Sequence, residues 1–517
     1  MPAGDGAVGA AQLIAPPNTG LLKFALVLAT LIQVLDMTIA NVALPHIQAS
    51  LGANQDTISW VLTSYIIASA IAMPVTGWLS DNIGRRRLYL ASVFCFVVAS
   101  VLCGIASNIS EIVLFRVLQG VSGAFLTPLS QTVLLDITPA EKRGQAMSMF
   151  GMGIVIGPIL GPVIGGWLTE NLNWRWVFFV NVPLGIVAFA GLWLFLPDGD
   201  RRPRSFDITG FILLSVGLAA FQLMLDRGQH VDWFGSLEIW LEAFIAISAL
   251  WMFAVHLATA RHPLFPRAVI GDRNLLLGMA MMTVVGLVIV AAMALLPIML
   301  ESLFGYPVVD AGFLLSSRGL GVMAAMAASG YLAHRLDARL MIAAGFALVT
   351  YSFWMMSSWS FDVDARTIAI NGFLQGIGIG MAWVPITTVA FATLNPKYRT
   401  DGSGVINLAR SIGSSVGISL VVTLLARNSV TAHVDLGASL TPYKFWFDMT
   451  QIEAAGGLGS AALGLLNGEV NRQATMIAFI DDFYLMAILT LLMLPLAILV
   501  KKGKGSAPKA SAADLGH

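Results

Sequence analysis

Long apolar stretches alternate with short polar ones along almost the whole chain. A membrane span needs about 20 mostly apolar residues, and fourteen runs of about that length lie between turn-rich breaks. The seventh run is short and the eighth contains Glu238 and Glu242, so these two carry the weakest signal. The pattern predicts an all-α polytopic membrane protein with fourteen transmembrane helices. The predicted spans cover approximately residues 22–47, 57–79, 88–107, 112–134, 145–168, 176–196, 207–225, 238–256, 275–300, 311–333, 340–360, 366–390, 402–426 and 482–500.

Composition agrees with a lipid environment and argues against several other classes of protein. Hydrophobic residues make up 57% of the 517 positions and charged residues 11%, against roughly 25% charged in a soluble domain. Basic and acidic residues both number 29, so no basic excess indicates a nucleic-acid partner. Cys95 and Cys103 lie too far apart on one helix for a disulfide, and no Cys/His cluster indicates a metal. Since no P-loop pattern occurs, we expect no ATP-hydrolysing enzyme.

Basic residues are distributed unevenly between the two sets of loops. Lysine and arginine concentrate in the cytoplasmic loops of membrane proteins. If the N-terminus lies inside, 20 of the 29 basic residues fall in inner segments, 6 in outer segments and 3 within spans. A thirteen-span chain would invert this alternation after the missed helix. The distribution predicts fourteen spans with both termini cytoplasmic, and the absence of lysine and arginine from the first twenty residues predicts a retained first span rather than a cleaved signal.

Two short patterns recur eight spans apart. Residues 77–87 after span two have a degraded copy at 330–340 after span ten, and Leu-Gln-Gly at 118–120 recurs at 374–376. Internal repeats of this kind are typical of transporters built from two related halves. We expect two six-helix bundles, with spans seven and eight inserted between them. The expected segments are a cytoplasmic tail (1–21), the first bundle (22–198), the two inserted helices (199–260), the second bundle (261–500) and a cytoplasmic tail (501–517). The second bundle includes an outer segment at 427–481, predicted as an extracytoplasmic loop or a small helical hairpin.

The segment at 77–87 carries the first family resemblance. It resembles the signature G-x-L-(A/S)-D-x-x-G-R-(R/K)-(R/K) of the major facilitator superfamily at every defining position, in Gly77, Asp81, Gly84, Arg85 and Arg86. A glycine lets the chain turn tightly, and the arginines anchor the inner face. The alternative is a simple basic stop-transfer loop. The resemblance implies the major facilitator fold and a loop that latches the two bundles on the cytoplasmic side.

Small residues line one face of span five. Bare faces let another helix approach closely, and prolines bend a helix. The pattern resembles the antiporter signature G-x-x-x-G-P-x-x-G of exporters in the superfamily, and the alternative is a generic packing face. The residues concerned are Gly153, Gly157, Pro158, Gly161, Gly165 and Gly166.

Two charged residues inside predicted spans are candidates for proton coupling. A carboxylate near the middle of span one, at Asp36, costs about 2.5 to 3.5 kcal/mol on insertion scales, so we expect it to bind a proton reversibly or to be permanently paired. Arg116 in span four, with Gln119 and Gly120 after it, resembles a motif linked in the family to proton coupling. A nearby cation favours the ionised form of a carboxylate, so Arg116 would control protonation of Asp36; alternatively Arg116 snorkels to the outer surface.

Further polar residues within spans are candidates for a substrate cavity. The arginines among them would bind an anionic substrate group, pair with acids, or serve a structural role. No cofactor is expected, with protons as the coupling ion. These candidates are Gln33, Asn41, Gln119, Arg318, Gln375, Asn407 and Arg410.

Over nearly its whole length the chain resembles EmrB-type permeases, a fourteen-span drug:proton antiporter group. The resemblance implies proton-coupled efflux of hydrophobic or amphipathic toxic compounds by alternating access across a bacterial inner membrane. It also implies a periplasmic adaptor of the EmrA type and a TolC-type outer-membrane channel as partners. The alternatives are an importer of the same fold and a non-transporting receptor or scaffold.

Overall fold

The fourteen predicted spans are confirmed as helices. The structure is a computed structural model that describes residues 18–199, 201–229, 231–332, 335–439 and 460–501, and no strand occurs in these ranges. The spanning helices are α1 (Thr19–Leu51), α2 (Thr57–Ile83), α3 (Arg85–Ile105), α4 (Ile109–Ile137), α5 (Arg143–Asn171), α6 (Trp176–Phe195), α7 (Ile208–Arg227), α8 (Leu237–Thr259), α9 (Arg273–Leu303), α10 (Val309–Leu332), α11 (Ala338–Met356), α12 (Ala365–Ala390), α13 (Pro396–Ser439) and α14 (Leu466–Leu499).

Polar caps set the starts of several helices. The first four N–H groups of a helix have no partner within it, and a side-chain oxygen of the preceding residue satisfies one of them. Asn108 accepts from the N–H of Glu111 at 2.9 Å, at the start of α4. Asp272 accepts from Leu275 at 2.9 Å, at the start of α9. Short polar breaks in an apolar chain therefore fix where most spans begin.

Proline interrupts regular hydrogen bonding in three spans. It removes a donor and displaces the preceding turn. A 3₁₀ turn, Met73–Val75, divides α2 at Pro74, and α9 ends in a π turn, Met299–Leu303, just after Pro297. In α14 the helix stops at Leu491 and resumes at Leu494, before Pro495. These spans are bent rather than straight.

The helices pack as two bundles with the same internal pattern. In the first, α1 packs on α5, α2 on α4, and α3 on α4 and α6; eight helices later α9 packs on α13, α10 on α12, and α11 on α12 and α14. The inserted helices α7 and α8 pack on each other, and α7 also contacts α2 and α13. The bundles meet along two seams, between α5 and the pair α10 and α12, and between α13 and the pair α2 and α4. The chain therefore contains two copies of one helical arrangement, as the sequence repeats suggested.

The glycines of α5 form the surface on which α1 packs. A methyl group on Gly153 would collide with Val27, and one on Gly161 would collide with Thr38. The Thr38 hydroxyl also donates to the Gly157 carbonyl at 3.3 Å. Close contact of this kind is the function of small residues in membrane helix packing. Gly165 continues the same face along Ile39.

Two members of the predicted glycine motif behave differently from the rest. Gly166 has no atom within 4 Å of where a side chain would begin, so it lies off the contact surface. Pro158 lies with Pro162 inside a helix that stays continuous from Arg143 to Asn171. Among the glycines of the motif, those spaced four residues apart, from Gly153 to Gly165, therefore contact α1, and Gly166 does not.

The described parts of the predicted outer segment at 427–481 are helical, as the hairpin alternative expected, and the helix that contains span fourteen begins well before the predicted position 482. The helix of α13 continues to Ser439, and the helix that contains α14 begins at Ser460; residues 440–459 lie outside the described part. His433 and Asn467 hydrogen-bond across the two extensions at 3.0 Å. A search for apolar runs stops where the chain leaves lipid, whereas the helix itself continues because polar residues also form helices.

The α1–α5 contact generates a prediction with an internal control. Gly161→Leu places a side chain against Thr38 and should destabilise the protein by about 1 to 3 kcal/mol through overpacking. Gly166→Leu, five residues further along α5, meets open space and should leave stability unchanged. Thermal unfolding of the purified variants in the same detergent measures the difference. Equal unfolding midpoints for the two variants would show that α1 and α5 do not touch at Gly161.

Candidate functional site

A fully buried ion pair lies inside the first bundle. Asp36 of α1 and Arg116 of α4 are joined by Nη1 and Oδ2 at 2.6 Å, and neither side chain exposes any surface. The guanidinium of Arg116 therefore does not snorkel to the membrane surface. Breaking a buried pair by removing one partner leaves an uncompensated charge, which typically costs 3 to 5 kcal/mol. The two charges are thus held in place by each other.

Neutral amides complete the environment of the Asp36 carboxylate. Gln119 Nε2 donates to Oδ1 at 2.8 Å and Asn181 Nδ2 donates to the same oxygen at 2.7 Å. Asn181 is itself held by Ser100 at 3.0 Å. Three donors from α4 and α6 therefore aim at one carboxylate on α1. Both carboxylate oxygens of Asp36 therefore act as hydrogen-bond acceptors.

The guanidinium of Arg116 is fixed by groups besides Asp36. Its Nε donates to the Val61 carbonyl at 2.9 Å, and its Nη1 donates to Gln119 Oε1 at 2.8 Å. The guanidinium carbon lies 4.4 Å from the centre of the Tyr65 ring, a cation–π contact. The Nη2 atom has no hydrogen-bond partner in the described part of the chain. Helices α1, α2, α4 and α6 thus all converge on this pair.

The structure brings together only some of the residues predicted for the first bundle. Asp36, Arg116 and Gln119 meet at one point. Gln33 instead accepts a hydrogen bond from the Thr127 hydroxyl at 2.7 Å, and Asn41 is exposed. Asn181 was not predicted as a site residue. The signal that would have found it is a lone amide near the start of an apolar span.

The segment at 77–87 lies in a network of ion pairs on one face of the molecule. We call this the basic face; α1 begins on it, and the opposite side is the far face. Asp81 meets Arg204 at 3.3 Å, and Arg204 also meets Asp401 of α13 at 2.6 Å. Gly77 lies so close to Asp401 that any side chain there would collide with it. A linker arginine therefore bridges the first bundle to the second.

A second bridge on the basic face runs through Asp136. This carboxylate accepts from Arg85 at 2.7 Å and from Arg399 of α13 at 2.6 Å. Deeper in the same interface, Gln131 accepts from Ser403 at 2.6 Å and from Asn407 at 2.9 Å. In the described residues, every side-chain hydrogen bond that joins the two bundles directly lies in this half. The molecule is therefore closed on the basic face. We call these contacts, with the Arg204 bridge, the latch.

The remaining loop residues hold the segment rather than the second bundle. Gly84 has φ +98, a conformation that side chains rarely adopt. Arg86 donates to the Trp193 carbonyl at 2.7 Å and meets Asp198 at 3.3 Å. Both contacts lie at the end of α6. The turn and the second arginine therefore fix the loop against its own bundle.

The candidate residues of the second bundle divide into two groups. Asn407 belongs to the latch. Arg318 donates to Gln375 Oε1 at 3.3 Å, and Arg410 lies over the ring of Trp383 at 5.8 Å.

In the described residues no group of three or more His, Cys, Asp or Glu side chains is placed to hold a metal.

The fold agrees with comparison to known proteins. The model of the family described as Major Facilitator Superfamily matches residues 26–418. The chain belongs to the major facilitator superfamily. It is thus a multi-pass membrane protein of a transporter family.

Curated members of the superfamily match nearly the whole chain. The multidrug export protein EmrB of Haemophilus influenzae is 34% identical over 91% of this chain and 94% of its own length. The multidrug export protein EmrB of Escherichia coli K12 is 32% identical over 94% and 96%. The fatty acid resistance protein FarB of Neisseria gonorrhoeae is 33% identical over 94% and 97%. The predicted resemblance to EmrB is confirmed.

Solved structures of the superfamily share the fold. The human organic anion transporter MFSD10 superimposes with a TM-score of 0.60 at 13% identity, covering 92% of this chain and 99% of its own. The proton:xylose symporter XylE gives 0.57 at 12% identity, covering 93% and 98%. At this identity they show the architecture only.

The latch generates a prediction about access from the basic face. Thr400 on α13 is 7% exposed, so a cysteine there, in a chain without Cys95 and Cys103, should react slowly with a water-soluble maleimide. Removing both bridging cations, by Arg204→Gln and Arg399→Gln, should destabilise the closed form relative to the open form by about 1.4 kcal/mol, which is a factor of ten in their equilibrium. The labelling rate should therefore rise about tenfold.

The matched control is Arg261→Gln, which removes an exposed arginine on the same face and should leave the rate unchanged. If the double variant labels no faster than this control, the two cations do not keep the basic face closed.

Proposed function

We propose that the chain exports hydrophobic or amphipathic toxic compounds in exchange for protons, by alternating access between its two bundles. The observation that carries the proposal is the Asp36–Arg116 pair. The Asp36 carboxylate has no exposed surface, and it is paired with a cation and hydrogen-bonded by two amides. Its charge would change when a proton arrives. Relatives named as multidrug export proteins support the direction and the breadth of the substrate range.

Protonation of Asp36 would change the balance at the pair. A neutral carboxyl no longer compensates Arg116, and a buried unpaired guanidinium is unfavourable. The most direct relief is separation of α1 from α4. Because the glycine face of α5 packs tightly on α1, a shift of α1 would carry α5 with it, and α5 packs on α10 of the second bundle. The proton site is thus connected mechanically to the interface between the bundles.

The latch supplies the second half of the cycle. With the basic face closed, as in this conformation, protons would reach Asp36 from the far face as the exported compound leaves. The protonated, substrate-free form would then open the basic face, release the proton and bind the next compound. In this cycle, protons and the exported compound cross the membrane in opposite directions.

We place the protein in a bacterial inner membrane with the basic face in the cytoplasm. The concentration of lysine and arginine on that face supports this orientation. By analogy with the EmrB-type permeases it resembles, the partners would be a periplasmic adaptor and an outer-membrane channel. The helical extensions of α13 and α14 on the far face are where an adaptor would approach.

Asp36→Asn tests the proton site. The neutral amide imitates a carboxyl that never releases its proton, so gradient-driven dye efflux from proteoliposomes should fall to background while insertion is unaffected. Asp362→Asn, which neutralises an exposed carboxylate outside the spans, is the matched control and should transport normally. Efflux at the wild-type rate by Asp36→Asn would refute the assignment.

Arg116 should take part in proton exchange at Asp36. In Arg116→Ala the carboxylate loses its ion-pair partner, so the dependence of the efflux rate on pH should change. Arg116→Lys should also be impaired, because only the planar guanidinium joins Asp36, Gln119 and the Val61 carbonyl together. The measurement is efflux rate against pH. A profile for Arg116→Ala that overlays that of the wild type would leave Arg116 a purely structural role.

A further inference from the structure

The second bundle contains polar groups that donate hydrogen bonds but have no acceptor. Gln375 and Trp383 on α12 are 0% and 3% exposed, and neither Gln375 Nε2 nor Trp383 Nε1 has a partner in the described residues. Arg410 Nε is also unpartnered. Buried donors in native proteins are nearly always paired. In the described residues all three are donors, so a bound group that accepts hydrogen bonds would satisfy them.

Two cations accompany these donors. Arg318 makes a single side-chain hydrogen bond, at 3.3 Å to Gln375, and Arg410 lies over the Trp383 ring. In the described residues neither guanidinium forms an ion pair, in contrast to Arg116 in the first bundle. The buried carboxylates of the second bundle do not compensate them, since Asp401 is paired with Arg204 and Asp482 has no hydrogen-bond partner.

Both arginines lie well inside the membrane-spanning region. Arg318 is nine residues from the far-face end of α10 at Val309, about 14 Å at the rise of an α-helix. Arg410 is eleven residues from the basic-face end of its helix at Arg399, about 16 Å. Arginine does not lose its proton in proteins, so both positions carry a permanent positive charge in surroundings of low dielectric constant.

The helices that carry these donors border the seam between the bundles. On α10, Gly319 lies so close to Ile159 of α5 that a side chain would collide with it. On α12, Trp383 lies beside Gly151 of α5. In transporters built from two repeats, the substrate site is found at this interface near the midplane. Arg318 therefore lies on a helix that borders the interface, and Arg410 lies over a tryptophan that reaches it.

We infer that the second bundle binds the anionic group of the transported compound at two positions along α12. Arg318 with Gln375 forms one position, and Arg410 with Trp383 forms the other. The two α12 residues are eight apart, about 12 Å along the helix. The inference rests on the proposed export function and specifies its substrate class as amphipathic anions, such as carboxylates, sulfonates or ionised phenols on an apolar body.

The test compares two decyl amphiphiles whose head groups carry fixed charges of opposite sign. Equilibrium binding of 1-decanesulfonate and of decyltrimethylammonium is measured on the full chain in lipid nanodiscs, without a gradient, after subtraction of the signal of empty nanodiscs. The sulfonate should bind at least about tenfold more tightly. Arg318→Gln and Arg410→Gln should each weaken sulfonate binding about tenfold to a hundredfold, the range for loss of a charge-assisted hydrogen bond, and leave the ammonium unaffected.

Two kinds of control keep the result interpretable. Arg366→Gln removes an exposed arginine from the far-face end of α12 and should change neither probe. Trp383→Phe keeps the ring but removes the donor, and should weaken the sulfonate several-fold even if an arginine variant folds poorly. The inference is overturned if both probes bind alike, or if the arginine variants behave as Arg366→Gln does.

Failure of this inference is distinguishable from failure of the export mechanism. Binding is measured without a proton gradient, so it does not depend on coupling. If Asp36→Asn still transports while the arginines govern sulfonate binding, the coupling proposal fails and the anion site stands. If Asp36→Asn stops efflux while charge has no influence on binding, the anion site fails and coupling stands.

Discussion

The cost of placing charge in a low-dielectric interior governs this molecule. Asp36 and Arg116 are each unfavourable inside the membrane, and together they are stable only in the one geometry that satisfies both. Three helices, α2, α4 and α6, supply further groups to that geometry, through Val61, Tyr65, Gln119 and Asn181. The first bundle is therefore organised around a point at which the loss of either charge would leave the other uncompensated. A purely apolar core would not have this sensitivity to charge.

The latch follows the same rule at the edge of the membrane, with a different outcome. Asp81, Asp136 and Asp401 are shared among arginines that come from both bundles and from the linker. No single pair holds this interface, so the closed state depends on several contributions from partly exposed arginines and largely buried carboxylates. In the proposed cycle, separation of this interface would follow a change of charge at the buried pair.

Much of the fold could be predicted from the sequence because lipid imposes a length and a polarity on every span. The Asp36–Arg116 pair was also predictable, since a charge inside an apolar run needs a reason to be there. Asn181 was not, because a neutral amide in an apolar run gives only a weak signal. Arg204 and Asp401 resemble ordinary charges near the membrane surface, and only the packing of α13 against α2 reveals their pairing. For the segment at 427–481 the sequence left a loop and a helical hairpin open, because helices outside lipid need no apolar run and leave no hydropathy signal.

The length of α13 has a mechanical consequence. Its continuous α-helix runs 41 residues from Arg399 to Ser439, about 60 Å at 1.5 Å per residue. One end carries Arg399 and Asp401, which bind the first bundle, and the other extends beyond the far face. A tilt of about 5° at the bound end displaces the free end by about 5 Å over that length. A small tilt of α13, once the ion pairs at its bound end are broken, would therefore move its other end on the opposite side of the membrane.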